Sequence, residues 1–207
     1  MHEIGRIKLL QVQQSGLKVK QQPYGHYDPT PLLTVKNLLL YPDGVIGVTP
    51  DGQRVIDVHH VEHPASRNHK GVNGVSVGFT SHYEAMRSKF GDHLVDGCAG
   101  ENILVEVDDI ITLADLGKRL AIQTQKTDGL IYLTRLKVAA PCVEFSLFAA
   151  SHGMALPAPQ LKETLQFLDG GKRGFYATVA GQSDEMLVQT GDRVFVDDRE
   201  KVSSYSP

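Results

Sequence analysis

The chain has 207 residues and a mass of 22.7 kDa, with 41% hydrophobic residues and a formal net charge of −3. This length allows one sizeable core, so a single domain over residues 1–207 is expected. The charge balance excludes the basic footprint of a protein that binds nucleic acid or an anionic membrane surface. No apolar run is long enough to span a bilayer, and the first residues lack the apolar core of a signal peptide, so a cytoplasmic protein is expected.

The first third of the chain consists of short β-prone runs separated by turn residues. Residues 6–12 and 17–20 flank a polar segment that contains Gly16, and this pattern predicts an opening hairpin. Turns are predicted at Pro42-Asp43-Gly44 and Pro50-Asp51-Gly52 because proline, aspartate and glycine favour turn geometry. The strands between these turns are predicted at 33–41, 45–48 and 54–58.

A helix is predicted next, at residues 81–90. Ser81 followed three residues later by Glu84 has the pattern of a capping box, and Gly91 ends the segment. The apolar residues at 79, 83, 86 and 90 fall on one helical face, so the helix is expected to pack on the sheet. Strands follow at 102–107, 120–123 and 130–138.

The last third contains two predicted helices, at 144–150 and 159–168, and the second is closed by Gly170-Gly171. The remaining strands are predicted at 175–180, 186–189 and 194–196. Short strands with frequent turn residues are typical of a sandwich or barrel rather than of alternating βα units. The sequence therefore predicts a mainly β fold with peripheral helices.

Cys142 is one of only two cysteines, and it follows Pro141. The proline restricts the backbone before it, so the thiol is held at a defined corner after a strand. A helix over 144–150 would place the sulfur near a helix N-terminus, which favours the thiolate. The alternative is a small buried apolar side chain. Without a secretion signal, Cys98 and Cys142 are expected to be free thiols.

A second candidate segment is the loop Gly97 to Asn102. Gly97 and Gly100 permit a tight turn with exposed N–H groups, and the Asn102 amide can donate and accept hydrogen bonds, so the loop could hold an anion or a polar ligand. The alternative is a simple turn into the following strand. Arg173 offers a forked donor set suited to phosphate, and Arg67 is a second candidate for an anion, although either could be a surface residue or a carboxylate partner.

The segment His59-His60-Val61-Glu62-His63 contains the spacing His-x-x-Glu-His, which on a helix can bind zinc. Residues 54–58 are predicted to form a strand, and Pro64 ends any helix that begins here. A helical zinc site of the metalloprotease kind is therefore not expected.

The order of these motifs resembles the MOSC domain, the module named after the C-terminal part of molybdenum cofactor sulfurases. The resemblance covers roughly residues 44–197 and is carried by Gly100-Glu101-Asn102-Ile103, Pro141-Cys142, Arg173-Gly174-Phe175-Tyr176 and Gly191-Asp192-Arg193-Val194. It implies a MOSC-type β-barrel of the stand-alone bacterial type. In this family, the cysteine corresponding to Cys142 ligates molybdenum or carries persulfide sulfur. The residues that would bind the molybdenum cofactor are Arg67, His69, Gly100, Glu101, Asn102, Arg173 and Tyr176.

The sequence departs from the better-known bacterial members at two places. Their His-Gly-Gly-rich motif reads His69-Lys70-Gly71-Val72-Asn73-Gly74 here, and Ala139 stands where they have an arginine three residues before the cysteine. Lys137 or Arg135 on the preceding strand could replace that charge. The departure bears on the reaction more than on the fold.

The resemblance implies two functional classes. In the first, Cys142 ligates molybdenum and the protein reduces N-hydroxylated substrates, with electrons from a flavoprotein because the chain has no ferredoxin-like cysteine cluster. In the second, the protein carries molybdenum cofactor or persulfide sulfur to a partner enzyme. A barrel that binds another anion is a third alternative. Pyridoxal phosphate is not expected, because a chain of this size has no room for the desulfurase region of full-length cofactor sulfurases.

Overall fold

The computed structural model describes residues 1–20, 25–68, 70–125, 129–181 and 186–198. The helices are Thr80–Phe90 (α1), Val143–Ser151 (α2) and Ala158–Leu168 (α3). The strands are His2–Gln13 (β1), Lys18–Val19 (β2), His26–Tyr27 (β3), Leu32–Thr34 (β4), Asn37–Tyr41 (β5), Gly44–Val48 (β6), Arg54–Ile56 (β7), Val75–Phe79 (β8), Ile103–Glu106 (β9), Leu120–Gln123 (β10), Leu130–Val138 (β11), Phe175–Ala180 (β12), Met186–Gln189 (β13) and Arg193–Val196 (β14).

Seven strands close into a barrel in the order β1, β14, β10, β11, β12, β8 and β9, with β9 returning to β1. The β8–β9 pair is parallel and the other pairs of the barrel are antiparallel. Strand β1 has shifts of register between Glu3 and Gly5 and between Ile7 and Leu9, and these irregularities let one long strand change partners along its length. The predicted mainly β fold with peripheral helices is confirmed, and it takes the form of a closed barrel.

The barrel interior is filled by side chains that alternate along the strands. In β12, Phe175, Ala177 and Val179 are buried while the residues between them are partly exposed. This alternation is the period-2 pattern of a strand with one face in the core. A second apolar cluster lies between the barrel and the helices and includes Tyr83, Phe145, Leu168 and Cys98.

The N-terminal strands pair differently from the prediction. The prediction of an opening hairpin is wrong. The end of β1 pairs with β4, with Gln13 opposite Leu32, and β2 pairs with β3. The predicted strand 33–41 is two strands, β4 against β1 and β5 in a separate four-stranded sheet of order β13, β5, β6 and β7. The chain leaves the barrel at Val35, whose N–H still donates to the Leu10 carbonyl at 3.0 Å.

The three helices lie close to their predicted positions. The prediction of a capping box at the start of α1 is wrong, because the N-cap residue is Phe79, whose side chain makes no capping hydrogen bond. The Ser81 hydroxyl instead donates to the Asp109 carbonyl at 2.7 Å, which joins the helix to the loop after β9. No helix among the described residues has the length and apolar character needed to cross a membrane.

Candidate functional site

A cavity of about 450 Å³ opens at one end of the barrel, beside the start of α2. Its lining combines the Gly97–Asn102 loop, the end of β11, the start of β12 and the β2–β3 hairpin. The predicted site residues in this lining are Arg67, Gly100, Glu101, Cys142, Arg173 and Tyr176. Segments that are far apart in the sequence therefore meet around one space, whose size is typical of small-molecule sites.

Cys142 is the N-cap residue of α2 and is partly exposed to the cavity. The backbone N–H of Phe145 donates to its Sγ at 3.5 Å, and the Nη1 of Arg173 lies at the same distance from the sulfur. Both donors, together with the partial positive charge of the helix N-terminus, stabilise a thiolate. The predicted placement of the thiol at a helix start is confirmed.

Arg173 is fixed by contacts with three parts of the chain. Its Nη2 donates to the Ala99 carbonyl at 3.2 Å, its Nη1 donates to the Ala140 carbonyl at 3.4 Å, and its guanidinium lies 4.5 Å from the centre of the Phe145 ring. Burial lowers the pKa of Arg173, but attraction to Cys142 and to neighbouring acidic groups outweighs burial and raises it. The side chain is therefore a permanent positive charge held against the sulfur.

Glu101 is a buried carboxyl group, only 2% exposed, at the base of the cavity. Its Oε2 accepts a hydrogen bond of 2.6 Å from the Tyr83 hydroxyl, while its Oε1 has no hydrogen-bond partner among the described residues. Burial raises the pKa of Glu101 to about 7, and the hydrogen bond from Tyr83 and the charge of Arg173 oppose that rise. The group can therefore exist in either protonation state near neutral pH.

Asn102 has a structural position beneath the loop. Its Nδ2 donates to Asp57 Oδ2 at 2.8 Å, and its Oδ1 accepts from both the N–H and the hydroxyl of Ser76, at 3.0 and 2.9 Å. The residue is fully buried and is not part of the cavity lining. Its amide holds the adjoining Gly100 and Glu101 in place instead of facing a ligand.

The turn geometry predicted for Gly97 and Gly100 is confirmed. Both have positive φ angles, 83° and 97°, which favour glycine. The side-chain amide of Gln11 donates to the Gly97 carbonyl and that of Gln13 donates to the Gly100 carbonyl, each at 2.7 Å. Strand β1 therefore fixes the conformation of the loop.

The sequence reasoning missed a pair formed by Asp57 and His59. Asp57 is fully buried, and its Oδ1 lies 2.9 Å from His59 Nδ1 and accepts from the His59 backbone N–H at 2.8 Å. The His59 ring lines the cavity with its centre 6.2 Å from that of Tyr176. The available signal was the Asp-x-His spacing, since aspartate often accepts from the backbone two residues on.

Of the other basic residues considered in the sequence, some line the cavity and others do not. Arg67 lines the cavity, and Lys18 of β2 adds a second cation there, 3.5 Å from Glu144. His69 lies outside the described residues, so its predicted role stays a prediction. Arg135 and Lys137, which were considered as replacements for the missing family arginine, are exposed and do not line the cavity.

The histidine segment does not form the helix that a zinc site would need. Residues 59–63 lie in turns, as the sequence indicated. In the described ranges, no group of three or more histidine, cysteine, aspartate or glutamate side chains is placed to hold a metal ion.

Cys98 differs sharply from Cys142. It is buried, only 3% exposed, and burial raises the pKa of its thiol. The carbonyl of Cys98 accepts from the Tyr27 hydroxyl at 2.8 Å, so the residue contributes to packing and backbone support. Both cysteines are free.

The fold is similar to two solved structures. The YuaD protein from Bacillus subtilis matches with a TM-score of 0.50 and 14% identity, over 91% of this chain and 96% of that chain. A hypothetical protein matches with a TM-score of 0.50 and 13% identity, over 92% of this chain and 68% of that chain. No model of a protein family and no curated protein sequence matches. At these identities the likeness shows a shared fold and nothing about activity.

Proposed function

We propose that this protein is a MOSC-type barrel that binds molybdenum cofactor through Cys142 and reduces N-hydroxylated substrates with an external electron donor. The observation that carries the proposal is the environment of Cys142 Sγ. Two donors, Phe145 N–H and Arg173 Nη1, each lie 3.5 Å from the sulfur in a cavity open to solvent. A cysteine sulfur in this environment is suited to bind a soft metal as its thiolate ligand.

The other residues of the cavity fit the rest of the cofactor. Its phosphate would find cationic partners in Arg67 and Lys18, which both line the cavity. Its polar ring would find Glu101, whose Oε1 is buried without a hydrogen-bond partner among the described residues. An unpaired buried polar atom is costly, so it indicates a partner that the protein alone does not provide. The order of the sequence motifs and the barrel fold support the same proposal.

When bound, the cofactor supplies the two-electron chemistry that amino acid side chains lack. The protein's own residues would bind the cofactor and orient it. Arg173 Nη1 lies 3.5 Å from the Cys142 sulfur and fixes its position, and Tyr83 holds the Glu101 carboxyl from behind by a 2.6 Å hydrogen bond. Gly78 leaves room for that carboxyl, because a Cβ there would lie 2.6 Å from Glu101 Oε1.

The same pair of donors on Cys142 favours a second candidate function. A persulfide on Cys142 would also be stabilised as an anion by Arg173 and by the N–H of Phe145. In that case the protein would carry sulfur, or the intact cofactor, to a partner enzyme. This candidate differs from the first in needing a protein acceptor and in having no reductase turnover of its own.

The two candidates are separated by a reconstituted reductase assay. Protein from a cofactor-producing host is supplied with a flavoprotein reductase and benzamidoxime as an N-hydroxylated probe, and benzamidine is measured. Turnover by wild type and none by Cys142→Ser supports the reductase. Absence of turnover, with sulfane sulfur bound to Cys142, supports the carrier and contradicts the reductase.

A further inference from the structure

The Asp57 carboxylate fixes which nitrogen of His59 faces the cavity. Asp57 Oδ1 lies 2.9 Å from His59 Nδ1, so a proton on Nδ1 is donated to the carboxylate and Nε2 is left for a ligand. The carboxylate is itself fixed, because its Oδ2 accepts from the backbone N–H of Gln13 at 2.7 Å and from Asn102 Nδ2 at 2.8 Å. The buried aspartate and the partly exposed histidine follow β7, and donors from β1 and from the loop before β9 hold the aspartate in place.

The surroundings of the pair favour proton exchange at His59. The side chain of Asp57 is 0% exposed and that of His59 is 28% exposed, so the carboxylate is shielded while the ring reaches the cavity. A buried carboxylate beside an imidazole fixes the orientation of the ring and the nitrogen that carries its proton. Of the other ionisable groups of the cavity, Arg173 keeps its proton, and Glu101 is only 2% exposed and so reaches a ligand less readily than the His59 ring does.

We propose that His59, oriented by Asp57, is the proton donor of the cavity. This inference rests on the proposed reductase function. Reduction of an N-hydroxylated substrate breaks the N–O bond and consumes two electrons and two protons, giving the amine-type product and water. The two electrons are supplied by the external electron donor, and the cofactor would provide the two-electron chemistry. His59 Nε2 supplies one proton to the leaving oxygen and is reprotonated from solvent, and the second proton comes from solvent.

The orientation is tested first without cofactor, by nuclear magnetic resonance of the full chain labelled with ¹⁵N-histidine. The neutral His59 ring of the wild type is expected to carry its proton on Nδ1. In Asp57→Asn, the amide oxygen takes the Oδ2 position, where Gln13 N–H and Asn102 Nδ2 both donate. The amide NH₂ then takes the Oδ1 position, where the His59 backbone N–H loses its acceptor and His59 Nδ1 becomes the acceptor of the NH₂. The proton of the neutral ring then moves to Nε2. A wild-type ring protonated on Nε2, or an unchanged tautomer in the variant, overturns the inference.

The role in turnover is tested in the cofactor-loaded protein with the benzamidoxime assay. His59→Gln is expected to lower kcat by about 100-fold or more, with cofactor content and KM unchanged, because general acids contribute at least that factor. His59→Ala should lose the same activity and recover part of it when imidazole is added. His63→Gln is the matched control, since His63 belongs to the same segment but does not line the cavity.

The outcomes distinguish the inference from the function on which it rests. Wild-type protein that binds cofactor but does not turn over benzamidoxime contradicts the proposed function, and with it any role of His59 in that reaction. An active wild type together with a His59→Gln variant that keeps the wild-type kcat overturns only the proton-donor role. Loss of cofactor from His59→Gln would show a binding role and would also overturn it.

Discussion

Replacing Glu101 with glutamine should remove a pH dependence from the stability of the protein. Burial raises the pKa of Glu101 from its ordinary value of 4.5 to about 7 in the folded state. Between these values the folded protein holds a proton that the unfolded chain has released, so the free energy of unfolding falls as the pH rises through this interval. The difference between the two pKa values corresponds to about 3 kcal/mol, which is fully lost above pH 7.

Glutamine has nearly the same shape and can still accept from the Tyr83 hydroxyl, but it cannot ionise. We expect Glu101→Gln and wild type to have similar free energies of unfolding at pH 5. At pH 8 the variant should be more stable by up to about 3 kcal/mol. Urea unfolding at both values measures this difference, and the titration of the histidines cancels between the two proteins.

Glu84→Gln is the matched control, because Glu84 is exposed on α1 and its replacement should not change the pH dependence. Parallel stability curves for wild type and Glu101→Gln between pH 5 and 8 would refute the reasoning. That result would mean that Glu101 is charged at pH 5 in the folded protein and has a hydrogen-bond partner that the described residues do not show.

Three further predictions concern the thiols and the packing around the cavity. Arg173→Met should slow alkylation of Cys142 by iodoacetamide at pH 7.5 by about tenfold, because the thiolate loses a cation 3.5 Å from its sulfur; an unchanged rate would contradict the role of Arg173. Ellman's reagent should modify one thiol in folded wild type and none in folded Cys142→Ser, since Cys98 is buried; rapid labelling of Cys98 would contradict this. Gly174→Ala should lower the free energy of unfolding by about 2 kcal/mol or more, because φ is 85° and a Cβ would lie 2.6 Å from the Val77 carbonyl oxygen; thermal unfolding would measure the loss, and a wild-type midpoint would refute it.

Local patterns were sufficient to predict most of the elements. The alternation in 175–180 and the apolar run at 120–123 indicate the strands that the structure contains, since side-chain periodicity depends only on neighbours in the sequence. The proline before Cys142 and the helical segment after it likewise indicate the position of the thiol at a helix start. These signals are local, and the physical forces behind them act within a few residues.

The long-range pairings could not be predicted in the same way. Closure of the barrel joins β1 to β14, with His2 opposite Val196, and no local pattern specifies that register. The wrong opening hairpin has the same origin, because the turn residues near Gly16 suit a hairpin but the end of β1 finds its partner in β4. Two adjacent β-prone runs indicate strands. Which strands they pair with depends on the backbone groups that remain unpaired once the barrel has formed.

The candidate site was predicted in part. Cys142 and Arg173 were recognised from sequence motifs, and the structure brings them into contact. The structural role of Asn102 and the pairing of Asp57 with His59 were missed, because they depend on burial and on hydrogen bonds between β1 and distant loops. A buried carboxylate is invisible in a sequence where aspartate also marks turns, and only the fold shows which donors surround it.

The central claim is that Cys142 anchors molybdenum cofactor in the cavity. The most direct test measures molybdenum and pterin in protein purified from a cofactor-producing host, for wild type, Cys142→Ser and Cys98→Ser. The account predicts about one molybdenum and one pterin per chain in wild type and in Cys98→Ser, and loss of molybdenum in Cys142→Ser. Wild-type protein without molybdenum or pterin, or equal cofactor content in wild type and Cys142→Ser, would contradict it.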